Sequence, residues 1–373
     1  MKIAYLSVFY PYRGGISQFN AALYRALEKK HDVKAYTFKR QYPDFLFPGK
    51  TQFVEPGDTA DAIPAERTLD SINPASWRKT VNMINEISPD MLITQTWMPF
   101  FGPSLGWVAG HFKKKIPTVS IIANMKPHEP NPGDVILSKF FLKRSHGFIV
   151  MAEEVKNDML ELKPDAEYFY HPHPNYEHFG EKVEKAVARD KLNLPMDKNI
   201  VLFFGLIRDY KGLDILIKAF KDMPDDHFLL VAGEVYGDDK RYTDLLKENL
   251  PENNYRFVNR YISDDEVPLY FSAADLCALP YRTATQSGIV GIAYHFGLPV
   301  VSTDTGGLRE VIEPYGTGIV VDHADEELIR NAIKTYFKEG LQKEFSQNVD
   351  KFSRKYTWDS MADGIVDFAL KFK

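Results

Sequence analysis

The run Ile200-Val201-Leu202-Phe203-Phe204-Gly205-Leu206-Ile207-Arg208-Asp209-Tyr210-Lys211-Gly212 decides the fold class. Its opening residues are apolar without alternation, which suits a strand covered on both faces, as in a parallel sheet. Gly205 breaks the run, and Leu213, Leu216, Ile217 and Phe220 then follow at the spacing of an amphipathic helix. Strand, short polar loop and helix make up most of a βαβ unit. The same grammar extends in both directions. Downstream, strands are expected at 228–232, 256–258, 276–279, 299–302 and 318–321. Upstream they are expected at 2–8, 33–38, 91–94, 118–123 and 148–151, with Ile16, Phe19, Leu23 and Leu27 on one face of the helix after the first.

At 373 residues the chain is long enough for two such sheets. The segment His171-Pro172-His173-Pro174-Asn175, followed by a charged stretch, reads as the linker. The expected organisation is therefore a domain over 1–180, a second over 181–355, and a terminal helix over 356–373 carrying Met361, Ile365 and Phe368. A composition of 44% hydrophobic and 26% charged residues excludes disorder, and no repeat marks a solenoid. The net charge of −5 argues against a nucleic-acid coat, and one cysteine, Cys277, excludes a disulfide framework and a multi-thiolate metal site. Apolar runs are too short to span a bilayer, and the chain opens directly into a strand pattern, so a cytoplasmic protein is expected. Residues 1–180 carry +2 and the remainder −7. Lys113–Lys115, Lys139, Lys143 and Arg144 cluster around Phe140-Phe141-Leu142, which suits either a membrane-surface helix or an ordinary helix packed beneath strand 148–151.

Ligands of doubly wound sheets sit beyond the carboxyl ends of the strands, so the loops there hold the candidate site. Gly14-Gly15 opens the first helix, where backbone N–H groups can meet an anion, although a plain tight turn fits equally well. Arg208 and Lys211 can reach a diphosphate from the 205–212 loop, or simply be solvated. Tyr281-Arg282-Thr283-Ala284-Thr285-Gln286-Ser287-Gly288 suits a helix start that cradles phosphates or hydroxyls. Trp97 follows a strand and can floor a sugar pocket or pack in the core. Asp225-Asp226, Asp238-Asp239 and Asp264-Asp265 read as surface turns, and His171, His173 and His178 as a crossover between domains, so no metal is expected.

Gly14-Gly15, the Lys211-Gly212 loop, Ser272-Ala273-Ala274-Asp275 and residues 297–312 together resemble a retaining GT-B glycosyltransferase of the glycosyl-transferases-group-1 class. Pro127-His128-Glu129, Tyr210-Lys211-Gly212 and Ala284-Thr285-Gln286-Ser287-Gly288 resemble one bacterial branch of it. The resemblance implies two Rossmann-like domains with a cleft between them. It also implies a nucleotide-diphospho-sugar, UDP- or GDP-linked, as co-substrate, with no other cofactor. It gives Lys211 the donor diphosphate, Arg208 an accessory role, the Thr285, Gln286, Ser287 and Gly288 segment the phosphates or sugar, and Tyr261 and Ile262 the base. Gly14 and Gly15 complete the donor set. The acceptor, a glycan or lipid-linked glycan for a bacterial surface, falls to the first domain with Trp97, which also admits peripheral contact with the inner face of the membrane. Two glutamates and a histidine usual in the family fall here on Ala284, Ile292 and Ala123. Asn124, His128 and Glu129 are the replacement candidates near the reacting carbon. Those departures also keep open a degenerate nucleotide-binding or scaffolding subunit, and a sugar-nucleotide epimerase or phosphorylase.

Overall fold

The computed structural model describes residues 1–43, 51–54, 60–125, 132–174, 179–284 and 287–373. The chain divides into two compact units, one of Met1–Pro172 with Thr357–Lys373, the other of His173–Tyr356. In the first unit, strands β1 (Lys2–Leu6), β2 (Asp32–Arg40), β3 (Ala65–Asp70), β4 (Met91–Thr96), β5 (Thr118–Ile122), β6 (Gly147–Val150) and β7 (Glu167–Tyr170) form one sheet, ordered β3-β2-β1-β4-β5-β6-β7. In the second, β8 (Asn199–Phe204), β9 (His227–Ala232), β10 (Tyr255–Val258), β11 (Leu276–Leu279), β12 (Val300–Thr303) and β13 (Gly318–Val321) are ordered β10-β9-β8-β11-β12-β13. The strands of both sheets pair in parallel, with Ile3 flanked by Val33 and Met91, and Val201 flanked by Leu229 and Leu276. The strand order turns back beside β1 and again beside β8, so each sheet has one topological switch point, between β1 and β4 and between β8 and β11.

Burial on both faces explains the unbroken apolar runs. All residues of β4, β5 and β9 are buried, and Ile200 to Phe204 of β8 likewise. All six strands of the second unit fall where the sequence predicts them, although β10 and most of β13 are only partly buried. Two strands of the first are not predicted. β3 (Ala-Glu-Arg-Thr-Leu-Asp) and β7 (Glu-Tyr-Phe-Tyr) lie at the sheet's edges, where half or more of their residues meet solvent and no apolar run is required. β1 also stops at Leu6, two residues short of the expected end.

The helix Gly15–Glu28 buries Phe19, Leu23 and Leu27 as its spacing predicts. The last helix, Trp358–Leu370, starts from a capping box in which Thr357 and Ser360 bond each other's backbone, and it belongs to the first unit. Its Trp358 meets Phe19 edge-on at 5.2 Å, and Lys29 and Lys30 pair with Asp359 and Asp363 at 2.7 Å. Met361 and Ile365 are fully buried, each contributing about 1.5–3 kcal/mol of transfer free energy. In the helix Asp134–Leu142, Phe141 and Leu142 are buried with Phe148 and Val150, as the packing alternative requires, while Val135 and Ile136 near its start are exposed. Among the described residues no helix is long and apolar enough to cross a membrane.

Candidate active site

The loops at the carboxyl end of β8 hold the candidate cations. After Phe204 the chain passes Gly205 and Ile207, then turns through a single 3-10 turn, Asp209–Lys211, into the helix Leu213–Phe220. Gly212 joins the two at φ 67°, and a Cβ there would collide with the Pro280 carbonyl oxygen. Only glycine lets the turn seat itself so closely on the end of β11. This seating brings the Lys211 ammonium within 3.4 Å of where a side chain on Gly205 would begin, and 5.9 Å from the centre of the Tyr281 ring. The first apolar side chain of the helix Gly288–His295, Ile289, comes to the same spot over Gly205.

Among the described residues the Lys211 ammonium has no hydrogen-bond or ion-pair partner. Burial, then the neighbouring charge of Arg208, lowers its pKa from 10.5 to about 8. The Arg208 guanidinium rests over the exposed Tyr236 ring at 4.5 Å and likewise meets no carboxylate among the described residues. The other arginines of these loops are paired. Arg241 bonds Asp209 and Asp214, Arg282 bonds Asp214, and Arg309 bonds Asp304, Glu313 and Asp322. Arg260 bonds Glu266 and holds its carboxyl down to about 2. Two adjacent cations left without counter-ions, amid paired ones, make a site for a polyanion.

The segment after β11 is fixed against β12. The Thr303 hydroxyl donates to the Tyr281 carbonyl at 2.6 Å, and the Ala284 N–H donates to Thr305 Oγ1 at 3.0 Å. The Tyr281 and Ser287 hydroxyls lie 3.4 Å apart, and Ser287 precedes the helix Gly288–His295. The Lys211 turn and the Ser287–Gly288 helix start therefore flank one ring, Tyr281. Thr285 and Gln286 lie outside the described residues. Beyond β10, Tyr261 is exposed and its carbonyl accepts from Arg260 at 3.0 Å, whereas Ile262 is buried. Ala284 is half-buried, and Ile292 sits in the core.

In the first unit, Gly14 takes φ 106° at the start of the helix Gly15–Glu28, and among the described residues nothing approaches within 4 Å of a Cβ placed on Gly14 or Gly15. A buried polar network underlies this turn. The Asn20 amide donates to Ser7 Oγ at 2.8 Å and to the Val8 carbonyl at 3.0 Å, and Ser7 in turn donates to Gln95 at 3.0 Å. The Trp97 indole N–H donates to the Tyr42 hydroxyl at 2.8 Å while its ring packs 4.3 Å from Phe101. Asn124, half-buried, follows β5 directly after Ala123, whose N–H donates to Thr96. His128, Glu129 and His178 lie outside the described residues. The His171 and His173 Nδ1 atoms donate to the carbonyls of Pro172 and Pro174, and among the described residues no three metal-ligating side chains converge.

Sequence alone singles out neither Asp214 nor Tyr236, and it offers Arg282 only as one member of the 281–288 segment, with no partner for its guanidinium. Asn20 did carry a signal, being a polar residue one turn ahead of Leu23 and Leu27 on the apolar face.

Comparison with known proteins agrees with the architecture and extends it. Residues 184–355 match the family model of Glycosyl transferases group 1. The chain is 23% identical over 304 residues to a D-inositol 3-phosphate glycosyltransferase of Xylanimonas cellulosilytica, covering 74% of this chain and 71% of that one. For some other curated relatives the match spans about half their length. Among solved structures, it is similar to Anabaena Alr3699/HepE in complex with UDP, with a TM-score of 0.73 at 16% identity over the whole of both chains. It is also similar to sucrose-phosphate synthase of Thermosynechococcus elongatus, with a TM-score of 0.68 at 18% identity over 100% and 99% of the two chains. Two Rossmann-like parallel sheets in this arrangement of strands are the GT-B fold. Residues 184–355 form a glycosyl transferases group 1 domain, and the chain that carries it is a glycosyltransferase.

Proposed function

We propose that the chain moves a sugar from a nucleoside-diphospho-sugar, UDP- or GDP-linked, to a glycan or lipid-linked acceptor, with retention at the anomeric carbon and without a metal ion. The observation that carries this reading is the pair Lys211 and Arg208, two neighbouring cations that meet no carboxylate among the described residues, at the carboxyl end of β8. Solved structures of Anabaena Alr3699/HepE with UDP and with UDP-glucose have the same fold, which supports a nucleotide at that end of the sheet.

In this reading Lys211 and Arg208 neutralise the charge that builds on the leaving diphosphate, the task a divalent cation performs elsewhere. Ser287 and Gly288, with Thr285 and Gln286, hold phosphate or sugar hydroxyls, and the main chain at Tyr261 and Ile262 meets the base. The leaving phosphate oxygen itself accepts the proton of the incoming acceptor hydroxyl, so the protein's work is positioning. Gly14 and Gly15 leave room beside the first helix for an anionic group. Trp97 serves the acceptor, with Asn124, His128 and Glu129 near the reacting carbon. The product belongs to a bacterial surface polysaccharide or glycoconjugate, and the enzyme works in the cytoplasm, in contact with the membrane through its basic first unit.

The test is calorimetric titration of UDP and GDP against the wild type and Lys211→Ala. A charge-assisted contact of about 1.5–3 kcal/mol corresponds to roughly ten- to 150-fold weaker binding in the variant. Equal affinities would remove Lys211 from the site. Turnover that survives EDTA supports the metal-free mechanism, and turnover that returns only with Mg²⁺ overturns it. One observation favours a second reading, a nucleotide-binding subunit without transfer. Ile292, where the family usually has a glutamate, is committed to the core. Tight UDP binding with no transfer or hydrolysis from any sugar donor would select it.

A further inference from the structure

We infer that Arg282 and Asp214 are a positioning pair that locks the Lys211 turn onto the segment after β11, so that the ammonium is already in place when a diphosphate arrives. The inference rests on the reading of Lys211 as a diphosphate ligand. Arg282 lies one residue beyond Tyr281, on the segment the turn must face. Its main-chain N–H donates to the Tyr210 carbonyl at 2.7 Å. Its guanidinium donates to the Asp209 carbonyl at 2.6 Å and grips the Asp214 carboxylate with both arms, at 2.9 and 2.7 Å. One side chain thus bonds the first residue of the turn and the first turn of the helix that follows it, on either side of Lys211. Asp214 is only 9% exposed, so its charge requires these partners. Burial alone would raise its pKa, but the hydrogen bonds and charge of Arg282, with the charge of Arg241, carry it below the ordinary value.

A planar fork with five donors can span a carboxylate and a separate carbonyl, whereas an ammonium on the same stem cannot hold both in fixed directions. The network has a second effect. Asp209 follows Arg208 directly and would be the nearest counter-ion for Arg208 and Lys211. Arg241 takes its carboxylate instead, at 2.5 Å, with the Tyr242 hydroxyl at 3.4 Å. The acids of the turn are thereby bound to Arg241 and Arg282, and the two cations facing the site stay uncompensated.

The experiment is a double-mutant cycle on the full chain, with Arg282→Lys, Lys211→Ala and their combination. UDP and inorganic pyrophosphate are the probes, read by calorimetry and, for millimolar affinities, by saturation-transfer NMR, and melting temperature monitors folding. Arg282→Lys is expected to weaken UDP about tenfold in the wild-type background and scarcely at all in the Lys211→Ala background, since a residue acting through Lys211 has nothing to position once Lys211 is gone. Losses that multiply would show a merely structural role and overturn the inference, as would wild-type UDP affinity in Arg282→Lys. If Arg282→Lys does not fold, Asp214→Asn, which keeps the shape and one acceptor oxygen, replaces it in the cycle. If Lys211→Ala itself binds UDP like the wild type, the donor-site reading falls and this inference with it. If Lys211→Ala is weakened and the clamp variant is not, this inference alone falls.

Discussion

Raising the pH from 7 to 9.5 should progressively switch off diphosphate binding at the β8 loop, and Lys211 sets the size of the effect. Burial, then the charge of Arg208, brings its pKa to about 8 in the free protein. If only the ammonium form attracts the diphosphate, about nine tenths of the molecules are competent at pH 7, half at pH 8 and about one tenth at pH 9. The Kd for UDP then climbs by about tenfold per pH unit above 8. A bound dianion stabilises the ammonium and restores a higher pKa, so binding at pH 8.5 draws a proton from solution. Calorimetric titration of UDP in two buffers of different ionisation enthalpy measures that uptake directly. Lys211→Arg should flatten the profile, because a guanidinium keeps its charge throughout this range. Folding carries the matching sign. A lysine whose folded pKa lies below its unfolded value leaves the unfolded chain with more bound protons between about pH 8 and 10.4, so this group's contribution to stability rises with pH across that window. A wild-type UDP affinity that stays flat from pH 7 to 9.5, with Lys211→Ala still weakened, would refute the reasoning: the ammonium would be solvated, and the close seating of its turn on β11 would not exist in solution.

Two further outcomes test the frame around the site. Gly147→Ala puts a methyl 2.5 Å from ring atoms of Phe368, so it should destabilise the first unit by about 1–3 kcal/mol in urea unfolding, whereas Gly133→Ala, with nothing within 4 Å among the described residues, should not; equal stabilities would mean that the last helix does not dock there. Cys277, fully buried in β11 with its thiol pushed up to about 12, should resist a disulfide reagent at pH 8 until the chain unfolds, and immediate stoichiometric labelling would contradict that burial.

What could be read from the sequence divides along a physical line. β8, β9 and β11 are covered on both faces, and double burial writes itself as an apolar run that no other local structure explains as well. β3 and β7 are covered less and paired on one side only, so their sequences are free to be Ala-Glu-Arg-Thr-Leu-Asp and Glu-Tyr-Phe-Tyr. The same line runs through the site. Lys211 and Gly212 stood out because a cation and a glycine between strand and helix have a local meaning. Arg282 did not, because its meaning depends on Asp214, 68 residues away, and on the parallel pairing of β8 with β11 that brings the two loops together. Asn20 lies between these cases, visible as polar on an apolar face but explained only once Ser7 and Gln95 are seen beneath it.

Under the proposed function, Ala284 and Ile292 bear on sugar choice more than on nucleotide capture. Ile292 is buried in the apolar cluster that also holds Phe271, Phe296 and Val300, and a carboxylate there would need a partner that apolar side chains do not offer. Ala284 has no polar side chain, and its N–H is engaged by Thr305. Neither position can therefore grip a hydroxyl through its side chain. Neither position contributes a negative charge opposite Lys211 and Arg208 either, so the field that would hold a diphosphate is left intact. Under the proposed function, discrimination among donor sugars then passes to Thr285, Gln286 and Ser287, whose hydroxyls and amide can donate and accept without adding charge. Affinity for the nucleoside diphosphate and selectivity for the sugar would accordingly separate by mutation: substitutions at Lys211 change the first for every donor, and substitutions at Gln286 change the second while leaving UDP alone as tightly bound as before. Equal losses for UDP and for every UDP-sugar in Gln286→Ala would put that side chain on the phosphates instead.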